Sequence, residues 1–86
     1  MVRVIYAGAE LIFSMIHLEK DMIVLGKDPN IEIIRLYDGS LVKKLIGHKG
    51  IVRDLLYLED RKQLVSASQD QTIRIWNLED EGACNT

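Results

Sequence analysis

Within residues 63–77, "QLVSASQDQTIRIWN", stand Ser66, Asp70 and the chain's single tryptophan, Trp76, and His48 comes shortly before them. Serine, histidine and aspartate are the side chains of a hydrolytic triad, in which imidazole takes the hydroxyl proton and the carboxylate orients the ring. Such a triad also needs a strained nucleophile turn and a pair of N–H donors for the oxyanion, and no stretch of this sequence supplies either. The same groups complete a hydrogen-bond chain instead. A carboxylate in a tight turn accepts from turn N–H groups and from one imidazole N–H. The second imidazole nitrogen accepts from the serine hydroxyl, and that hydroxyl accepts from the indole N–H. Every buried polar atom then has a partner, which a buried network requires. Each link adds about 1 kcal/mol net, and a broken link leaves costly orphans. We therefore expect His48, Ser66, Asp70 and Trp76 to hold a turn.

Other chemistry finds less support. His17, His48 and Cys84 are scattered, and no pair has metal-ligand spacing. No glycine-rich loop could cradle a phosphate. Lys43, Lys44 and Arg53 read as a solvated strand face, Glu59 and Asp60 as a soluble turn, and Cys84 as an inert thiol in a frayed tail. No catalytic residue, metal, cofactor or small-molecule substrate is expected.

Composition narrows the partners. The 86 residues carry 11 basic and 13 acidic side chains, a formal net charge of -2. That balance gives no field to attract nucleic acid or an anionic membrane. A hydrophobic content of 48% is too high for a disordered segment. The longest apolar runs, such as Met22 to Leu25, are far too short to span a bilayer. The opening "MVRVIYAGAE" has too short an apolar stretch for a signal peptide. One cysteine cannot form an internal disulfide, so the expected setting is intracellular, cytoplasmic or nuclear. A chain this short buries about 60–65% of its unfolded surface, so its core is thin.

The elements that must position the network are strands. Alternation and β-branched content predict strands over 2–6, 12–18, 22–26, 31–37, 41–46, 51–58, 64–68 and 72–78. The turn signals "GAE", "EKD", "KDPN", "DGS", "GHKG", "EDRK" and "QDQ" separate them. A shift of 40 residues lays "VRVIYAG" on "VKKLIGH" and "IFSMIHLE" on "VRDLLYLE", and a shift of 39 lays "IRLYD" on "IRIWN". Four short strands repeating at this period match one propeller blade. Unit one covers residues 1–38 and unit two 41–78, with 79–86 an acidic flexible tail.

At "GHKGIVRDLLYLEDRKQLVSASQDQTIRIWN" the chain resembles the WD-repeat family of β-propellers. Gly47, His48, Ser66, Asp70 and Trp76 match that family's glycine and structural tetrad, while Asn77 stands where its signature has aspartate. Unit one is a degraded copy. Asp28 fills the turn position, Tyr37 aligns with Trp76, Val24 with the serine and Gly8 with the histidine, and its second turn reads as longer.

The resemblance implies an all-β fold of two four-stranded antiparallel blades, the last lacking its outer strand. Residues 2–6 would be the outer strand of a preceding blade. It also implies that protein partners dock on the face carrying the positions after the Gly-His and before the turn aspartate. In unit two these are Lys49, Ile51, Arg53 and Gln69; in unit one they are Ala9, Leu11, Phe13 and Lys27, with Phe13 the preferred anchor. The function expected is a non-catalytic interaction scaffold, a fragment or short form of a propeller. The alternative is a self-assembling unit that closes a six- or eight-bladed ring from whole copies, residues 2–6 of one copy completing the last blade of the next.

Overall fold

Runs of apolar and β-branched residues, each stopped by a polar turn, order the described residues into seven strands. The computed structural model describes residues 2, 4–6 and 8–78. One antiparallel sheet holds β1 (Ser14–His17), β2 (Met22–Gly26), β3 (Ile31–Arg35) and β4 (Leu41–Leu45) in that order. The other holds β5 (Val52–Leu58), β6 (Gln63–Ser68) and β7 (Ile73–Asn77). Among the described residues there is no α-helix, only a 3-10 turn at Glu59–Arg61 joining β5 to β6.

The two sheets stack face to face as successive blades. Strand pairing sets Val24 opposite Ile33 in the first and Leu64 opposite Trp76 in the second. Side chains alternate across a strand, so each sheet offers one apolar face to the other. Val24, Ile31, Ile33 and Leu45 meet Leu55, Leu64 and Trp76 in one buried core, together with Leu18 and Val52. Each fully buried aliphatic side chain there stabilises by about 1.5–3 kcal/mol. The second sheet's other face has no such cover: Leu56, Ile73 and Ile75 are exposed.

Polar contacts pin the blades at both ends. At one end the Ser14 hydroxyl donates to the Val52 carbonyl at 2.9 Å, and the Val52 N–H donates to the Lys27 carbonyl at 2.9 Å. At the other, the Glu19 carboxylate accepts from Lys62 Nζ at 2.5 Å and from the Tyr57 hydroxyl. Gly26 lies at the first of these contacts, where a Cβ would run into the Ser14 hydroxyl and stand 2.9 Å from the Val52 carbonyl oxygen and 3.0 Å from its Cγ1. The alanine variant Gly26→Ala is therefore expected to cost about 1–3 kcal/mol by displacing the Ser14 hydroxyl from its bond to Val52 and crowding β2 against β5. Urea denaturation reads this, and an unchanged midpoint would mean that the contact gives without cost.

Three details depart from the sequence expectations. Residues 2 and 4–6 form no strand, because the sheet to which an outer strand of a preceding blade belongs is not in this chain. The turn between β2 and β3 is shorter than its counterpart, not longer. Gly26 pairs with Ile31, whereas Ala67 pairs with Ile73, so residues 27–30 answer to residues 68–72. That pairing puts Leu25 at the place of Ser66 and Ile34 at the place of Trp76, not Val24 and Tyr37. Leu25 and Ile34 are both buried, while Tyr37 lies beyond the end of β3 and is 72% exposed. A shift without gaps cannot see that β3 stops early, in a turn closed by the Gly39 N–H on the Arg35 carbonyl at 2.7 Å. The tail 79–86, with Cys84, lies outside the described residues.

Candidate functional site

The connector from β4 to β5 brings His48 behind the β6–β7 turn, and the pleat sends Ser66 and Trp76 to the same side of their sheet. Trp76 Nε1–H donates to Ser66 Oγ at 2.8 Å, and Ser66 Oγ lies 2.7 Å from His48 Nε2. His48 Nδ1 lies 2.9 Å from Asp70 Oδ2. With the proton on Nδ1, the imidazole donates to the carboxylate and accepts the serine proton on its other nitrogen. The indole is 1% exposed and the serine fully buried, so these groups have no access to water in place of one another. The His48 and Trp76 rings meet edge to face at 6.2 Å.

Asp70 is the junction of this network. Its carboxylate accepts from the Thr72 hydroxyl at 2.5 Å, and from the N–H groups of Lys49 and Thr72 at 2.9 Å each. The Thr72 hydroxyl first, then the Lys49 N–H and His48, hold its pKa well below the usual carboxylate range. Thr72 escapes the sequence reading, although an aspartate followed two residues later by threonine is an Asx-turn signal.

The sign of the pH dependence follows. Asp70 binds a proton less readily folded than unfolded, so its contribution to stability is fully present above the ordinary aspartate pKa of about 3.9 and falls away as the pH drops below it. Asp70→Asn is expected to flatten the loss of melting temperature between about pH 4 and pH 2. An unchanged slope would show that Asp70 is not the titrating group.

Ser66 Oγ is enclosed between indole and imidazole, which leaves no approach for a substrate carbonyl. Among the described residues, no group of three or more His, Cys, Asp or Glu could hold a metal ion, and no helix is long and apolar enough to cross a membrane. A 340 Å³ cavity opens between the sheets at the opposite end, lined by Leu18, Met22, Ile33, Tyr57 and Leu78 among others. None of the four network residues and none of the residues assigned to the partner-binding face lines it.

Beside the network lies the rim assigned to partners. β1 and β5 run side by side through the Ser14–Val52 bond, and the Gln69 N–H donates to the Ile51 carbonyl at 2.9 Å. Leu11 is 73% exposed and Phe13 41% exposed; Lys49, Arg53 and Gln69 are exposed, and Ile51 is half-buried. Lys27 departs from this surface. It is 2% exposed, and its ammonium lies 2.8 Å from Glu32 and 3.6 Å from Glu10. A lysine desolvated this far needs counter-charges, and both carboxylates draw it away from the rim.

A four-stranded and a three-stranded antiparallel sheet, stacked face to face with a repeat of the same strand order, define consecutive blades of a β-propeller. The family described as "WD domain, G-beta repeat" matches residues 39–77, and the chain belongs to the WD-repeat family. It is 49% identical over 61 residues to nuclear distribution protein PAC1 of Gibberella zeae, covering 69% of this chain and 13% of that protein. It is 40% identical over 67 residues to WD repeat and SOCS box-containing protein 1 of Homo sapiens, covering 73% of this chain and 16% of the relative. The chain thus spans less than a fifth of the length of these relatives. Among solved structures, the computationally designed Ika4 protein superposes with a TM-score of 0.72 at 21% identity, over 86% of this chain and 45% of the designed one.

Proposed function

We propose that the chain is a non-catalytic, protein-binding part of a WD-repeat propeller, which presents the rim of Leu11, Phe13, Lys49, Ile51, Arg53 and Gln69 to protein partners in an intracellular setting, cytoplasmic or nuclear. The observation that carries this reading is the division of labour at one end of the blades. His48, Ser66 and Asp70 are used up in fixing the turn, while the neighbouring side chains stand free with an aromatic anchor among cations. Aromatic and arginine side chains dominate contact energies. Nucleic acid, membrane and small-molecule ligands have no part in it, and neither does a cofactor. Cross-linking of the chain to a bound partner through lysines tests the reading. Cross-links should form at Lys49 and fade in Phe13→Ala and Arg53→Glu variants. Cross-links confined to Lys43 and Lys62 would place the partner elsewhere.

A second reading rests on a separate observation. Among the described residues β7 stands last in its sheet, and Ile73 and Ile75 on it are exposed. Unpaired strand edges recruit other strands. In this reading the chain is also a structural unit whose partner is another copy of itself.

A further inference from the structure

The two sheets do not close on each other along their whole length. At the end away from the network they leave the 340 Å³ cavity, with Met22 and Ile33 on one side and Tyr57 and Leu78 on the other. The strand register shapes its mouth. β3 and β4 pair Ile31 with Leu45 and Ile33 with Lys43, then slip, so that Ile34 meets Leu41 and Val42 is the extra residue. A bulge of this kind breaks the alternation and re-aims side chains. Val42 and Lys43 both line the cavity as a result. Ile33 is buried against the other blade, and directly paired residues share a face of the sheet, which turns Lys43 the same way.

The charges around this cavity are unequal. Two lysines, Lys43 and Lys62, and one carboxylate, Glu19, line it. Glu19 is already engaged, by Lys62 Nζ at 2.5 Å and by the Tyr57 hydroxyl. The Lys43 side chain is half-buried, and among the described residues no hydrogen bond or ion pair holds its ammonium. A cation partly removed from water beside apolar walls favours an anionic neighbour. The walls themselves are aliphatic and aromatic. A polypeptide backbone threaded between them would leave N–H and C=O groups unpaired, which argues for a ligand whose polar part is confined to one end.

We propose that the cavity binds a small aliphatic carboxylic acid, its carboxylate on Lys43 and its hydrocarbon chain between Met22, Ile33 and Tyr57. This goes beyond the reading of the rim and does not depend on it. Pockets for small ligands are mostly apolar, with a few polar groups that fix orientation, and have volumes of about 300–1,000 Å³. At 340 Å³ the cavity sits at the lower end of that range, which suits a short chain. The uncompensated charge of Lys43 sets the orientation, with the acid's head at the mouth and its tail inward.

Titration of the full chain with octanoate, below the concentration at which it forms micelles, tests this. Saturable NMR shifts should appear at the Met22 methyl and at the amides of Tyr57 and Leu78. Along the series butanoate, hexanoate, octanoate, each added methylene should tighten binding about three- to fourfold. Octanol, which lacks the charge, should bind about tenfold more weakly. Lys43→Gln should remove that tenfold advantage of octanoate and leave octanol binding and the melting temperature unchanged. Val42→Phe, at an exposed position of the bulge, should block both ligands. Octanoate that gives no saturable shift at these residues, or that binds Lys43→Gln as tightly as the wild type, would overturn the proposal. So would a peptide with adjoining acidic and aliphatic side chains that shifts these resonances where octanoate does not, since the cavity then serves a protein partner.

Discussion

Trp76→Ala is expected to lower the unfolding free energy by about 3–5 kcal/mol, the range for removing a large aromatic side chain from a core. The indole is among the largest side chains fully enclosed in the core, and it belongs to one buried cluster with Leu64 of its own blade and Ile33 of the other. Its loss opens a cavity and also removes the donor to Ser66. Trp76→Phe separates the two effects. It keeps most of the apolar volume and should cost about 1–3 kcal/mol for the orphaned hydroxyl. Chemical denaturation of both variants checks this. If the two cost the same, the hydrogen bond decides; if Trp76→Phe is neutral, the network contributes nothing.

Glu32→Ala is the second large effect, with an expected loss of about 3 kcal/mol. Removing one partner of a buried ion pair leaves an uncompensated charge, at about 3–5 kcal/mol. Glu10 remains 3.6 Å from Lys27 and is itself largely exposed, which places the expectation at the lower end. The double change Lys27→Met with Glu32→Leu should recover most of the loss, because an apolar pair of similar volume is often as stable as the ions it replaces. A double variant no better than Glu32→Ala would show that the cost lies in packing around Glu32.

The strand pattern is readable in the sequence because alternation and turn chemistry are local. Residues 22–26 form a short apolar run between the turns "EKD" and "KDPN", and β2 occupies those positions. The four network residues stand out because an imidazole, a small hydroxyl, a turn carboxylate and a lone indole fall where the WD-repeat pattern has its tetrad. What local patterns cannot supply is the exchange of one kind of fastening for another. Nothing in "GKDPNIE" distinguishes a surface lysine from a buried one. Lys27 turns inward because Glu32 sits five residues later, across a four-residue turn, and because Glu10 arrives from a segment far off in the chain. The misplacement of Tyr37 has the same root: periodicity carries no information on where a strand gives way to its turn.

Gly26 has a consequence for the size of any closed assembly. Adjacent blades meet like slices of a round loaf, and their inner strands, β1 and β5, set how tightly the thin ends come together. A Cβ on Gly26 would run into the Ser14 hydroxyl of β1 and stand 2.9 Å from the Val52 carbonyl oxygen, so only glycine fits where the slices meet. A methyl group inserted there pries the thin ends apart and flattens the angle between slices. The circumference is then filled by a different count, or the circle opens into a spiral.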